Sequence, residues 1–141
     1  MQEYEEVEYY FAYSASLRIF GDNIDLDEVN DLLKVEPSSF NKAGDKFVYK
    51  GKETSRTFEK DVWKLSSPLN EEIHLDEHLN YLKGILIDKS DAIGKLKEKY
   101  EIDIFCGYRS NCDHAGFKVN SKSLELFTEL DVDFNVSVII T

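Results

Sequence analysis

Glu101–Val119, EIDIFCGYRSNCDHAGFKV, is the stretch that decides how this chain is read. Ile102, Ile104, Cys106 and Tyr108 share one parity; Asp103, Phe105, Gly107 and Arg109 share the other. Side chains of a strand point alternately to its two faces, so the even positions pack on a core and the odd face stays at least partly wet. Ser110–Gly116 is rich in Ser, Asn, Asp and Gly, which favour turns. Phe117 and Val119 then resume the alternation. The pattern predicts a β-hairpin whose loop is longer than the usual length of about two to five residues.

Toward the C-terminus, Val132, Phe134, Val136, Val138 and Ile140 alternate with Asp133, Asn135 and Ser137, the cleanest strand signal in the chain. A short helix capped by Ser121 or Ser123 precedes it, with Leu124, Phe127 and Leu130 inward. Toward the N-terminus, Glu71–Ile87 is amphipathic through Leu75, Leu79, Leu82, Ile85 and Leu86. A break near residue 88, with Asp88 or Ser90 as cap, leads into a second helix carrying Ile93, Leu96 and Tyr100 on one face. Residues 60–66, around Val62, Trp63 and Leu65, read as a strand ending at Ser66-Ser67-Pro68. The polar, basic segment 38–60 holds a short edge strand at Phe47–Tyr49. A helix over Leu26–Lys34 starts at Asp25, with Glu28 as capping-box partner, and is ended by Pro37. Tyr9–Ile19 forms a first strand with its odd positions inward, and residues 1–8 are expected to fray.

The order implies an α+β fold over residues 9–141, one domain with a mainly antiparallel sheet and helices packed on one face. A ferredoxin-like sandwich fits, with two right-handed βαβ crossovers setting the first and last strand–helix units side by side.

Composition bounds the function. The 141 residues are 42% hydrophobic and 32% charged, as in soluble globular proteins. No run approaches the roughly 20 apolar residues of a membrane span. The acidic start MQEYEEVEYY lacks the basic opening of a signal peptide, and two cysteines make no disulfide framework, so the cytoplasm is the expected compartment. A net charge of -11 argues against nucleic-acid binding and favours encounter with a basic protein. Monomer and homodimer both remain open, because a free sheet edge can pair with a second copy.

Several segments together resemble the bacterial domain-of-unknown-function family numbered 4279. They are SLRIFGD (Ser16–Asp22), LLKVEPS (Leu32–Ser38), WKLSS (Trp63–Ser67), HLNYL (His78–Leu82), IDIFCGYRS (Ile102–Ser110) and GFKVNSKSLELFTEL (Gly116–Leu130). They keep the family's order over residues 13–140. Ala115-Gly116 stands where the family commonly has a glycine pair, and Asp131 where it often has glycine. The resemblance implies a small α+β domain and no reaction.

The chemistry-bearing residues are few. His74 and His78 are four apart, the spacing of two zinc ligands on a helix, but Leu75 stands where a zinc protease has glutamate and no third ligand is near. No metal or cofactor is expected. Cys112-Asp113-His114 offers a thiol beside an imidazole without a third orienting group, while Cys106 falls on the inward parity. Asp61 and Asp103 have no partner legible in sequence, and no GxSxG, P-loop or GxGxxG occurs. The loop NKAGDK suggests an anion held by the Gly44 amide with Lys42 or Lys46. Trp63, Ser66 and Arg109 complete the candidate ligand-binding set. The expectation is a non-enzymatic binding module that engages a basic protein, in its concrete form an immunity-type inhibitor. The alternative is a small-molecule or anion sensor using a groove between the 42–60 loop, Trp63 and the 110–116 turn.

Overall fold

The computed structural model describes residues 8–141; the expected fraying of residues 1–7 lies outside them. Glu8 is held, since the Asn111 side chain donates to its carbonyl at 2.8 Å.

The elements are β1 (Phe11–Gly21), α1 (Leu26–Leu33), β2 (Ser39–Asn41), β3 (Lys46–Tyr49), β4 (Lys52–Thr57), β5 (Asp61–Ser66), α2 (Leu75–Leu86), α3 (Ser90–Lys97), β6 (Glu101–Ser110), α4 (Glu125–Leu130) and β7 (Asp133–Ile140). One sheet of five strands runs in the order β2-β5-β1-β6-β7, and β3 and β4 pair by themselves. All sheet pairings are antiparallel except β6–β7, which is parallel through α4. The α+β sandwich is as expected. Only one of the two expected βαβ crossovers exists, because β1 and β5 lie side by side but run in opposite directions.

Parity sets the layers. Ala15, Leu17 and Ile19 of β1 register with Trp63 and Leu65 of β5 and with Ile102, Ile104 and Cys106 of β6, all on the helix side. They share one core with Val29 and Leu33 of α1, Leu79 and Leu86 of α2, Ile93 and Leu96 of α3 and Leu126 and Leu130 of α4. Gly21 makes room at its margin: a Cβ there would lie 2.5 Å from the Tyr100 ring. That ring's hydroxyl accepts the Asp25 amide at 3.2 Å.

The Asp25 carboxylate accepts the Glu28 amide at 3.1 Å, as a cap should. Glu28 does not complete the box; its carboxylate takes Lys99 at 3.0 Å. The helix ends at Lys34 in a left-handed conformation, φ 55°, three residues before Pro37. Neither Asp88 nor Ser90 caps α3, whose N-cap is Lys89 without a side-chain bond. In the last helix Leu126, not Leu124, is inward, and Ser123 donates to Asp76 at 2.9 Å instead of capping. Asp131, where the family often has glycine, adopts the left-handed φ of 50° that a glycine would take.

The expected hairpin at 101–119 is half right. β6 is a ten-residue strand, but residues 111–120 hold no strand. Both edges of β6 are already taken, by β1 and β7. Phe117 and Val119 alternate with exposed neighbours because they pack against the core edge, Phe117 with its ring edge-on to Tyr108 at 5.1 Å. Asn120 is then tied to Asp76 at the start of α2 by its amide at 2.9 Å.

Candidate functional site on the open face of the sheet

Among the described residues no helix covers the second face of the sheet. Across its centre the register aligns Ser39, Lys64, Arg18, Asp103 and Asp133, one from each strand in spatial order. Two cations thus sit beside two carboxylates. Arg18 donates to Asp103 in a two-pronged pair, Nε at 2.9 Å and a terminal nitrogen at 2.6 Å. Asn135 adds a donor to the same carboxylate at 2.8 Å. The guanidinium lies over the Phe105 ring at 4.4 Å and the Phe20 ring at 4.8 Å. Planar guanidinium geometry suits both the fork and the stacking.

Lys64 is left over. It faces Arg18 directly, a like-charge opposition that costs stability in a sheet. Among the described residues its amine has no carboxylate within salt-bridge distance. Burial, then the Arg18 charge, pushes its pKa below the ordinary lysine value of 10.5.

The β3–β4 hairpin leans over this end. Phe47 stacks on Phe58 with ring centres 3.9 Å apart. Beneath lies a cavity of about 360 Å³ lined by Arg18, Lys46 and Lys64, by Phe20, Phe47 and Phe58, and by no carboxylate. A smaller hollow of about 270 Å³ opens toward the other end, lined by Ser14, Glu71, Phe105, Gly107 and Arg109 among others. A Cβ on Gly107 would lie 2.6 Å from the Ser14 hydroxyl, so glycine lets Ser14 lie flat across the sheet there.

Of the six residues singled out by sequence, Lys46 lines the larger cavity and Arg109 the smaller. Ser66 is on the open face but hydrogen-bonded to Ser16 at 2.8 Å. Trp63 is fully buried on the helix side and donates to Asn30 at 2.9 Å, so it lines no groove. Gly44 is no anion cradle: its amide donates to Phe58 at 2.8 Å, and the neighbouring Ala43 amide to the buried Asp61 at 2.9 Å. The Lys42 amide is likewise taken by Asp45 at 2.8 Å. The groove drawn between the 42–60 loop, Trp63 and the 110–116 turn does not exist. The register sets Phe11 against Ser110 and Phe20 against Val62, so the turn and the loop lie at opposite ends of β1. That separation is roughly 30 Å at about 3.3 Å per residue.

His74 and His78 are structural. His78 is buried; its Nε2 lies 3.0 Å from the Ile73 carbonyl and its Nδ1 2.9 Å from the Ser67 hydroxyl. A carbonyl only accepts, so Nε2 carries the proton and the Ser67 hydroxyl donates to Nδ1. Burial lowers the His78 pKa below its usual 6.5. His74 caps α2, its Nδ1 accepting the Asp76 amide at 3.3 Å. Among the described residues no group of three or more His, Cys, Asp or Glu is placed to hold a metal ion. The Cys112 thiol donates to the His114 carbonyl at 3.3 Å, not to its ring. Cys106 is buried, and desolvation pushes its thiol up to about 12.

Sequence reasoning missed Arg18, Phe20, Lys64 and Asp103 as a group. The available signal was parity: each is the outward residue of a strand whose inward partners are apolar.

Residues 9–141 match the family described as Domain of unknown function (DUF4279), and the chain belongs to that family. No curated protein and no solved structure matches it.

Proposed function

We propose that this member of the family is a non-enzymatic binding domain that takes a small anionic ligand with a flat apolar part under the β3–β4 hairpin. One observation carries the reading. In a chain of net charge -11, the cavity under the hairpin is walled by three phenyl rings and three cations, of which Arg18 is paired with Asp103 and Lys46 lies 3.9 Å from Glu53, while Lys64 has no carboxylate partner among the described residues. A desolvated, unpaired lysine is a standing cost to the fold, and an incoming carboxylate or phosphate offsets it. The rings supply faces for a flat apolar group. A cytoplasmic location goes with this reading, and no helix among the described residues is long and apolar enough to cross a membrane.

The test is a titration with phenyl phosphate, benzoate and inorganic phosphate, followed by thermal shift and by amide chemical shifts. Trp63 is a poor reporter because it faces away from the cavity. Phenyl phosphate should stabilise the protein more than inorganic phosphate does, with shifts centred on Arg18, Lys46 and Lys64. Absence of any shift at millimolar phenyl phosphate sinks the reading.

A second reading keeps the basic protein partner, an immunity-type target included. Exposed Asp22, Asp25, Asp27 and Asp31 gather at and before α1, which packs on the helix side of the sheet while the cavity lies on the open face. Association with a basic protein through them would weaken steeply with salt. Retention of partner at low salt by the parent but not by a chain with Asp25, Asp27 and Asp31 changed to Asn distinguishes it from the cavity reading.

A further inference from the structure

The strand with the clearest sequence signal is the most exposed strand of the main sheet. β7 is an edge strand whose even side chains register with the inward residues of β6, Phe134 with Ile104 and Val138 with Tyr108. Beyond Phe134, whose ring meets Phe127 of α4 at 4.8 Å, the helix layer does not reach over them: Val136, Val138 and Ile140 are 39%, 55% and 45% exposed. The backbone edge is open too. Thr141 donates to the Ser110 carbonyl at 2.9 Å, so odd-numbered peptide groups of β7 point to β6 and even-numbered ones point out. Among the described residues nothing pairs with that edge. Proteins guard such edges with lysine, proline, bulges or shortness. The other edge, β2, is three residues long. β7 has eight residues, no lysine, arginine or proline, and one acid, Asp133.

We infer that β7 pairs antiparallel with β7 of a second copy, about a two-fold axis at Ser137. The occupant follows from the strand's own pattern. With Ser137 opposite Ser137, Val136 meets Val138 and Phe134 meets Ile140 on the helix side, in the rungs whose peptide groups already point outward. On the open face Asp133 falls opposite Thr141 and Asn135 opposite Ile139. No charge faces a like charge, although the chain as a whole is strongly acidic. A register one rung shorter sets Ile139 against Asp133. The strand is therefore self-complementary over its full length. A basic protein would find a single carboxylate on it. Isologous edge pairing joins the two sheets into one, with the helices on a common side.

The test uses the full chain with Cys112→Ser, which leaves only the buried Cys106. Facing α-carbons of a non-hydrogen-bonded antiparallel pair lie about 4.5 Å apart, within disulfide range. Ser137→Cys should therefore give a disulfide-linked dimer under mild oxidation, and Asn135→Cys should not. The parent should sediment as a concentration-dependent dimer. Val138→Lys, a change at an exposed site, should leave the melting temperature of the monomer in place and weaken the dimer about tenfold or more. A parent that stays monomeric at the highest soluble concentration overturns the inference. So does equal cross-linking through Asn135→Cys and Ser137→Cys, or a Val138→Lys variant that dimerises as well as the parent.

Discussion

The two faces of the main sheet are built from the same strands and obey different physics. Leu17, Ile19, Trp63 and Ile104 look toward the helices and are fully buried. Arg18, Phe20, Lys64 and Asp103 alternate with them and look the other way, where a two-stranded hairpin covers one end only. The first face stabilises by removing apolar area from water. The second holds ions in partial shelter, where pairing roughly balances desolvation. One face therefore carries stability and the other is free to carry function.

The largest way to break that contrast is on the helix face. Trp63→Ala should cost about 4 kcal/mol, from a large cavity and an orphaned Asn30. Urea unfolding should show the midpoint fall with little change in slope. On the open face, Asp103→Ala strands Arg18 beside Lys64, and Asn135 loses its acceptor. The pair is only partly sheltered, with side chains 23% and 12% exposed, so about 2 kcal/mol is expected, below the figure for a fully buried pair. Arg18→Met with Asp103→Leu should recover most of that loss. A double variant no better than the single one would mean the open face is packed as tightly as the core.

Parity made most of this legible. Strands β1, β5, β6 and β7 and helices α1 to α3 stand where the apolar spacing puts them. It also held information that went unused. Trp63 and Ser66 have opposite parity, so no groove on one face can contain both side chains. What parity could not give is which edge of a strand is occupied. Phe117 and Val119 alternate because they meet a core, and both edges of β6, the strand they would fold back on, are taken by β1 and β7. Val136 and Val138 alternate as a buried strand would, yet lie beyond the helices. Alternation reports a two-sided environment and is silent on how far the covering layer extends.

A smaller effect separates the faces by pH. His78 on the covered side is neutral and doubly bonded, with its pKa lowered by burial. The unfolded chain takes up a proton before the folded one does. The stability tied to His78 is therefore complete above pH 6.5 and is lost as pH falls through the lowered folded value. His78→Gln should cost about 1 kcal/mol at neutral pH and flatten that acid-side decline. Chemical denaturation from pH 7 down to 5 reads both.

The smallest effect on stability is at Lys64, and it sharpens the comparison most. Its pKa is lowered by burial and by Arg18, so the unfolded chain binds its proton more tightly. Folding is penalised while the amine is charged, and the penalty disappears as pH rises from the lowered folded value toward 10.5. Lys64→Met keeps the stem and deletes the charge. Its melting temperature should match or slightly exceed the parent's, within about 0.5 kcal/mol. The same change should weaken phenyl phosphate binding about tenfold or more, since a charge-assisted contact in partial shelter is lost. A residue that costs the fold while charged, and whose removal costs only binding, is what a site facing away from the core requires. If Lys64→Met destabilises the protein as Asp103→Ala does, the lysine is a structural member of the Arg18–Asp103 row and the cavity beside it needs no ligand.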